Sequence, residues 1–534
     1  MSTAGPALEE DEKAAQPAPA GTLPSFNTWL KGAALPRETH LLLGLTAPIL
    51  VLVTNMWRVR AFTIDDAYIS YRYARNFARG AGLVYNAGER IEGYTNFLWT
   101  LMLAGGIKVG LDPDVMAKVF GALFAIGTLG VTYVVAQRFQ PFGTLPCVAT
   151  WLLASSIVSS GYAVFGLETS MFVFLVLTGM ELMFREEEAY GGAGPAEGAP
   201  WYRRVPLSGL VFALAGLTRP EAPVFMGIPM LLLGRRFFSL RNVSRGALFV
   251  AIVGAHALWR HSYYGQWYPS TADAKTGNLT AQLYGGWAYV QNYFVHVGPL
   301  AWIAVLGLAF GLTAWRRDII AVGLIAVFWV GYVIAVGGDW MPLFRFMAPF
   351  EPLCFLLVDA GARWVFERKK TAATVAMLAF GAAMVGYRID KVRDAQRVIL
   401  HKEDRFWRMA AGGTAKWFRQ HGEPGEIAIG DIGYVGYSTD YPILDLLGLV
   451  DPVISKLPGG YTRKLGPGFT DRFFQKAPRY FLLISSTTDC QKPSVPGSQV
   501  IYNDRRFKPL YQVAGTVPLD GGFAWCIYER KPVP

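Results

Sequence analysis

A chain of 534 residues with 52% hydrophobic content and a formal net charge of +11 is too apolar and too long to be one soluble domain. Its apolar residues come in runs long enough to cross a hydrocarbon core of about 30 Å, so the class is polytopic membrane protein. Lys and Arg fall between those runs, and the basic balance therefore reads as membrane topology, with no nucleic-acid partner implied.

Residues 1–38 hold Pro, Ala, Gly and acidic residues without apolar periodicity and read as a disordered tail. No signal-peptide pattern is present, so the tail is expected in the cytoplasm. Twelve apolar segments follow between 40 and 388, among them 97–110, 145–164, 205–218, 222–234 and 299–315. Arg138, Arg203-Arg204, Arg235-Arg236 with Arg241 and Arg245, Arg316-Arg317 and Arg368-Lys369-Lys370 mark the cytoplasmic side. Alternation puts all of them there only if one segment ahead of Arg138 does not cross. The segment 97–110 is the choice, being short and carrying Gly105-Gly106. The expected fold is thus mainly α, with about eleven transmembrane helices in a domain at 39–388. The outer side receives 58–95, 165–168, Arg219, the long loop 262–298, 338–345 and everything after 388.

Residues 389–534 read as a second, extracytoplasmic α/β domain. The stretch 401–421 has helical spacing, and 426–431 and 480–484 have the look of buried strands. Gly430-Asp431-Ile432-Gly433-Tyr434-Val435-Gly436 resembles a Gly-rich phosphate turn, but with no helix pattern or βαβ unit after it, it reads as a tight turn. Of the four cysteines, Cys147 and Cys354 lie in apolar segments as packing residues. Cys490 and Cys526 form a disulfide if this domain is outside.

The chemistry concentrates in a few polar insertions. Asp65-Asp66 follows the first apolar segment and offers a general base, a holder for a divalent cation, or a helix cap. Arg72 and Arg75 lie at helical spacing beyond it, as a rim for an anionic headgroup or as interfacial snorkels. Glu89 and Glu92 sit in a Gly-bracketed polar loop. Glu168 occupies a turn with almost no loop, Arg219-Pro220-Glu221 breaks two short segments, and Asp339, Trp340 and Arg345 follow Gly337-Gly338. Topology drawn from Lys and Arg alone places all of them on one face, which points to a single outer-side active centre.

At Asp65-Asp66, Arg75-Asn76, Gly88-Glu89-Arg90-Ile91-Glu92, Gly166-Leu167-Glu168 and Gly338-Asp339-Trp340 with Arg345, the chain resembles the GT-C superfamily of membrane glycosyltransferases. The closest likeness is to the mycobacterial-type terminal arabinofuranosyltransferases. It departs from their pattern in Ala67-Tyr68-Ile69 after the pair and Gly93-Tyr94-Thr95-Asn96 after Glu92. The resemblance implies a polyprenyl-phosphate sugar donor and an envelope glycan or glycoprotein acceptor. It implies a bacterial plasma membrane with transfer on the periplasmic side, and one of Asp65 and Asp66 as base. Glu168 would border the sugar, and charge and topology make Arg219 or Arg345 the holder of the leaving phosphate. The competing reading is a transporter or flippase of lipid-linked sugars, which calls for inverted repeats and mid-membrane charges.

Overall fold

The computed structural model describes residues 35–139, 146–190, 198, 205–275, 278–298, 300–367, 371–459 and 465–532. All but the last four residues of the expected tail lie outside the described residues, as do Arg203-Arg204 and Arg368-Lys369-Lys370. Helices make up nearly all of the described chain up to His421, and a five-stranded sheet domain follows.

Among the described residues, three helices can cross a membrane by length and composition: Arg37–Val59, Pro113–Phe139 and Arg317–Ala335. The bent pair Leu279–Val297 and Leu300–Thr313 makes a fourth if it counts as one span. Helix length alone therefore does not yield eleven. Phe97–Lys108 has 12 residues, a rise of about 18 Å, which falls well short of the hydrocarbon thickness. Leu50, Val119, Leu123, Trp302 and Val327 are exposed on the helical part, the kind of apolar surface that lipid covers.

Three expectations need correction. The segment 145–164 is not one rod: helices Val148–Ala154 and Ile157–Tyr162 meet at a break, where Ser156 caps the second by accepting from the Val158 and Ser159 amides. The loop 262–298 is largely helical, as Ser270–Lys275 and Leu279–Val297, the latter started by Asn278 accepting from the Thr280 and Ala281 amides. A helix does follow the Gly430 turn, at Gly433–Thr439.

The sheet domain has strands β1 (Ile427–Ile429), β2 (Ile443–Asp445), β3 (Tyr480–Ser485), β4 (Tyr511–Pro518) and β5 (Ala524–Arg530), in the order β2-β1-β3-β5-β4. β1 runs parallel to both neighbours, and β5 is antiparallel to β3 and β4. Side chains alternate between faces. Ile427, Ile429, Tyr480, Leu482, Trp525 and Ile527 share one core with Ile69, Tyr73, Tyr85 and Tyr94 from the start of the chain. Ala428, Phe481, Leu483, Cys526 and Tyr528 form the other core. The sheet is therefore buried on one face against residues more than 300 positions away. Cys490 and Cys526 are joined in a disulfide, with Cα atoms 5.8 Å apart.

Charged pairs collect at both ends of the helical part. At one end, Arg138 pairs with Glu181, and Arg316 donates to the Arg138 carbonyl at 2.7 Å. Nearby, Arg245 reaches Glu186 at 2.9 Å and the Ser208 hydroxyl at 2.8 Å. The same helices carry Asp114, Glu168, Arg219 and Tyr264 toward their other ends, beside the Asp65 helix.

Candidate active site

Helix Asp65–Ala78 starts after extended Ile64, and no side chain caps it. The expected cap is instead made in trans. The Asp65 carboxylate accepts the backbone N–H groups of Gly433 at 2.9 Å and Tyr434 at 2.8 Å, satisfying orphan donors at the start of Gly433–Thr439. Gly433 is required there, because a Cβ would lie 1.9 Å from the Asp65 carbonyl oxygen. The Tyr68 ring packs edge-on against Tyr434 at 4.9 Å. A cleft of about 290 Å³ opens beside Asp65, with Thr63, Tyr68, Asp114, Asp404 and Tyr434 in its wall.

The next turns of this helix fasten the sheet domain. Arg72 donates to the carbonyls of Tyr85 at 2.8 Å, Gly436 at 2.5 Å and Tyr441 at 2.8 Å. Arg75 donates to the Tyr437 carbonyl at 2.7 Å and pairs with Asp440, which Arg79 also reaches at 2.9 Å. Glu89 pairs with Lys476 at 3.3 Å. Of the residues expected to meet substrate, Arg72, Arg75 and Glu89 thus contact the second domain. Glu92 is buried against Arg260 at 2.6 Å, and burial, partly offset by that guanidinium, pushes its carboxyl up to about 7. Trp340 is half exposed.

Asp66 is half-buried on the other side of the helix start. Its charge is felt by Asp431, which follows β1, and by Tyr162, whose hydroxyl donates to the Pro342 carbonyl. Three carboxyls from two parts of the chain therefore stand together. Burial first, then the charges of Asp431 and Asp66, push Asp65 up to about 8, against the pull of the Tyr434 and Gly433 amides. Burial and Asp66 push Asp431 up to about 6. Burial, with these like charges added to it, keeps a proton within the group near neutral pH.

Glu168 reaches the same region through a glycine. Gly166 has φ +94°, and a Cβ there would meet the Tyr71 hydroxyl at 2.4 Å and Ala67 at 2.8 Å. The turn is thereby seated on the Asp65 helix, and the Ile64 amide donates to the Phe165 carbonyl at 3.1 Å. Glu168 accepts from Asn96 at 2.9 Å and Arg219 at 3.2 Å. Arg219 also holds Glu221 at 3.0 Å, and Tyr332 donates to Glu221 at 2.8 Å. Burial would raise the Glu221 carboxyl, but the Arg219 guanidinium outweighs it and holds that carboxyl below its ordinary value. Arg345 pairs with Asp339 at 2.6 Å. Both guanidiniums face the Phe346 ring, at 5.5 Å and 5.0 Å. Leu343 and Phe344 just ahead hold φ of +64° and +57°, a strain that non-glycine residues keep mainly at functional turns.

The structure thus brings together Asp65, Asp66, Glu168, Arg219, Glu221, Asp339 and Arg345, with Tyr162 lying within electrostatic range of Asp66, Asp339 and Arg345. Tyr162, Tyr332 and Asp114 are functional candidates that the sequence alone does not single out. Asp431 stands in the Gly-rich turn read from the sequence as structural, and its place just past a buried strand, where α/β sheets place ligands, is the signal of a further role. Among the described residues, no three or more His, Cys, Asp or Glu side chains are grouped to hold a metal ion.

The fold is shared with solved structures of ArnT and of an archaeal oligosaccharyltransferase. ArnT from Cupriavidus metallidurans superposes with a TM-score of 0.54 in its apo state, at 14% identity over 90% of this chain and 97% of that one. Its form bound to undecaprenyl phosphate gives 0.53 at 12% identity, over 90% and 96% of the two chains. In sequence the chain is similar to terminal β-(1→2)-arabinofuranosyltransferases. It is 27% identical to that of Corynebacterium glutamicum over 368 residues and 28% identical to that of Mycobacterium tuberculosis over 374, covering 60% of this chain each time. The chain spans about half the length of these curated relatives, 52% and 57%. Residues 399–528 match a domain of unknown function, DUF8728. The resemblance drawn from the motifs is borne out by these relatives and by the shared fold.

Proposed function

We propose that the protein is a membrane glycosyltransferase that moves a sugar, arabinofuranose-like, from a polyprenyl-phosphate donor to an envelope glycan. The observation that carries this reading is the convergence of Asp66 and the Asp339–Arg345 pair around Tyr162, with the Glu168–Arg219 pair in electrostatic range of Arg345. The bound undecaprenyl phosphate in the ArnT structure and the names of the relatives support the donor and sugar classes. The Cys490–Cys526 disulfide supports an oxidising, periplasmic location for the sheet domain. The bundle then sits in a bacterial plasma membrane with its Arg138 end in the cytoplasm.

In this reading Asp65 holds the Gly433 turn, both its oxygens accepting the Gly433 and Tyr434 amides, and Asp66 is the base. The acceptor hydroxyl loses its proton to Asp66 while its oxygen bonds to the anomeric carbon. The bond from that carbon to the phosphate oxygen breaks, and the lipid phosphate leaves with the electron pair. Arg345, with one carboxylate partner against two for Arg219, is the better placed guanidinium to meet the developing phosphate charge. Glu168, held by Asn96 and Arg219, borders the sugar.

The test is purified protein with synthetic polyprenyl-phosphate arabinofuranose and, beside it, other pentose and hexose donors, comparing wild type with Asp65→Asn and Asp66→Asn. Transfer that collapses in Asp66→Asn is the expected outcome. Undiminished turnover in that variant overturns the base assignment. Movement of the lipid between leaflets without transfer from any donor selects the transport reading instead.

A further inference from the structure

The turn after β1 faces two ways. On one side Gly433 and Tyr434 hold Asp65, and the Ile432 carbonyl accepts the Tyr85 hydroxyl at 2.5 Å. On the other side Gly430 and Asp431 line a cavity of about 230 Å³ within the sheet domain. The cavity lies at the carboxyl ends of β1, β2 and β3, marked by Ile429, Leu446 and Ile484. β1 has β2 on one flank and β3 on the other, so the strand order reverses there. In open α/β sheets that is where ligands bind.

The wall is built, not incidental. Asp445, fully buried at the end of β2, accepts the Leu447 amide at 2.8 Å and the Val450 amide at 2.9 Å, which folds the 446–450 loop over the opening. Gly448 in that loop has φ +82° and touches the Ser455 backbone, leaving no space for a side chain. Two polar groups look into the space. Ser498 is only 7% exposed, and Asp431 is half-buried. Among the described residues no hydrogen bond ties down either side chain, and neither is sealed from solvent, so both can meet a ligand in the cavity. The rest of the lining is apolar, with Leu446, Leu447 and Phe469 prominent.

A lining of this kind wants a ligand that donates hydroxyl protons to a carboxylate on one edge and presents C–H groups on the other. A sugar ring has both. A phosphate is repelled by Asp431, and a bare cation finds no third ligand. We propose that this cavity is a sugar subsite for the glycan acceptor, and that the Gly430–Tyr434 turn sets the bound acceptor end beside Asp66. The proposal rests on the glycosyl-transfer reading. It gives the domain matched at 399–528 a role in holding the acceptor, with Asp431 as a positioning residue between the two spaces.

The experiment uses the full-length protein in nanodiscs with an alkyl arabinofuranosyl disaccharide as the acceptor probe. Binding is followed by calorimetry, and turnover is followed both to the disaccharide and to water. Ser498→Leu fills the cavity from one wall and Leu447→Trp from another, and neither touches the Asp pair. Each is expected to weaken disaccharide binding and raise its KM about tenfold, with donor hydrolysis and melting temperature close to wild type. Disaccharide affinity and KM unchanged in both folded variants overturn the subsite, as does absence of disaccharide binding by the wild type. Binding that weakens as expected, with no transfer from any donor, leaves the subsite standing and removes the transfer reading alone.

Discussion

The two ends of the helical bundle carry similar numbers of arginines and carboxylates but use them differently. At the Arg138 end the buried acids are matched: Glu181 by Arg138 and Arg185, and Glu186 by Arg245, Arg241 and Ser208. Those pairs close helix ends on one another. At the Asp65 end, Arg219 and Arg345 are matched as well, yet beside them Asp65, Asp66 and Asp431 repel one another. Buried charge pairing is therefore no mark of a catalytic centre in this fold. What sets the Asp65 end apart is acids brought together from distant segments, with the proton affinity of Asp65 and Asp431 raised by burial first and by neighbouring carboxylates second.

The contrast is sharpest in paired substitutions. Asp66→Asn is expected to lower kcat for glycosyl transfer by about 10²–10⁴-fold with little change in melting temperature. Arg245→Met at the opposite end leaves Glu186 buried without its main partner, and is expected to cost about 3–5 kcal/mol of stability while the kcat of the protein that survives stays near wild type. A loss of kcat in Arg245→Met at unchanged stability would erase the distinction between the ends. Asp431→Asn tests the same contrast by pH. Asp65, Tyr162 and Tyr434 also face this space, but the substitution removes only the Asp431 charge, which raises Asp65. The Asp65–Asp66 pair then ionises more easily, and the acid limb of the kcat/KM profile moves to lower pH. A limb that stays in place, or moves up, contradicts the three-carboxyl group.

Much of the Asp65 end is legible from charge order alone. Basic loops fix which segment ends share a side, so Glu168, Arg219, Asp339 and Arg345 can be placed with Asp65 before any packing is known. The twelve-residue rise of Phe97–Lys108 likewise follows from its length and its Gly105-Gly106. What stays hidden in the sequence is contact between segments hundreds of residues apart. Arg72 at helical spacing looks like an interfacial arginine, because nothing local says that the Gly436 and Tyr441 carbonyls will meet it. Asp65 looks like a cap for its own helix, since capping in trans leaves no spacing to read. The helix at Gly433–Thr439 is hard to foresee because Gly433 and Gly436 disfavour helix, and it forms where Asp65 satisfies its first amides. The break at Ser155 is masked by apolar flanks on both sides of a cap.

The sheet domain offers a second comparison, between its covalent and its electrostatic fastenings. Cys526→Ser opens the disulfide within the domain and is expected to lower its stability by about 2–4 kcal/mol, read as a fall in melting temperature that dithiothreitol reproduces in the wild type. A wild-type melt indifferent to reductant would show that the second core holds without it.

The smallest effect is expected at Arg79. It shares Asp440 with Arg75, but Arg79 is 57% exposed and Asp440 50%, whereas Arg75 is 12% exposed. Solvent screens such a pair and the side chains lose rotamer freedom to form it, so Arg79→Ala should cost only about 0.2–1 kcal/mol, within the reach of a careful denaturant melt and no more. Arg72→Ala is the necessary partner measurement. Its guanidinium is 3% exposed and spans four acceptors in two parts of the chain, so its removal strands buried carbonyls as well as losing the bonds. Protease cleavage in the 421–427 connection should rise in Arg72→Ala and stay at the wild-type rate in Arg79→Ala. Equal rates in the two variants would mean that the sheet domain is held onto the Asp65 helix by its apolar face alone, and that the arginines on that helix serve some other purpose.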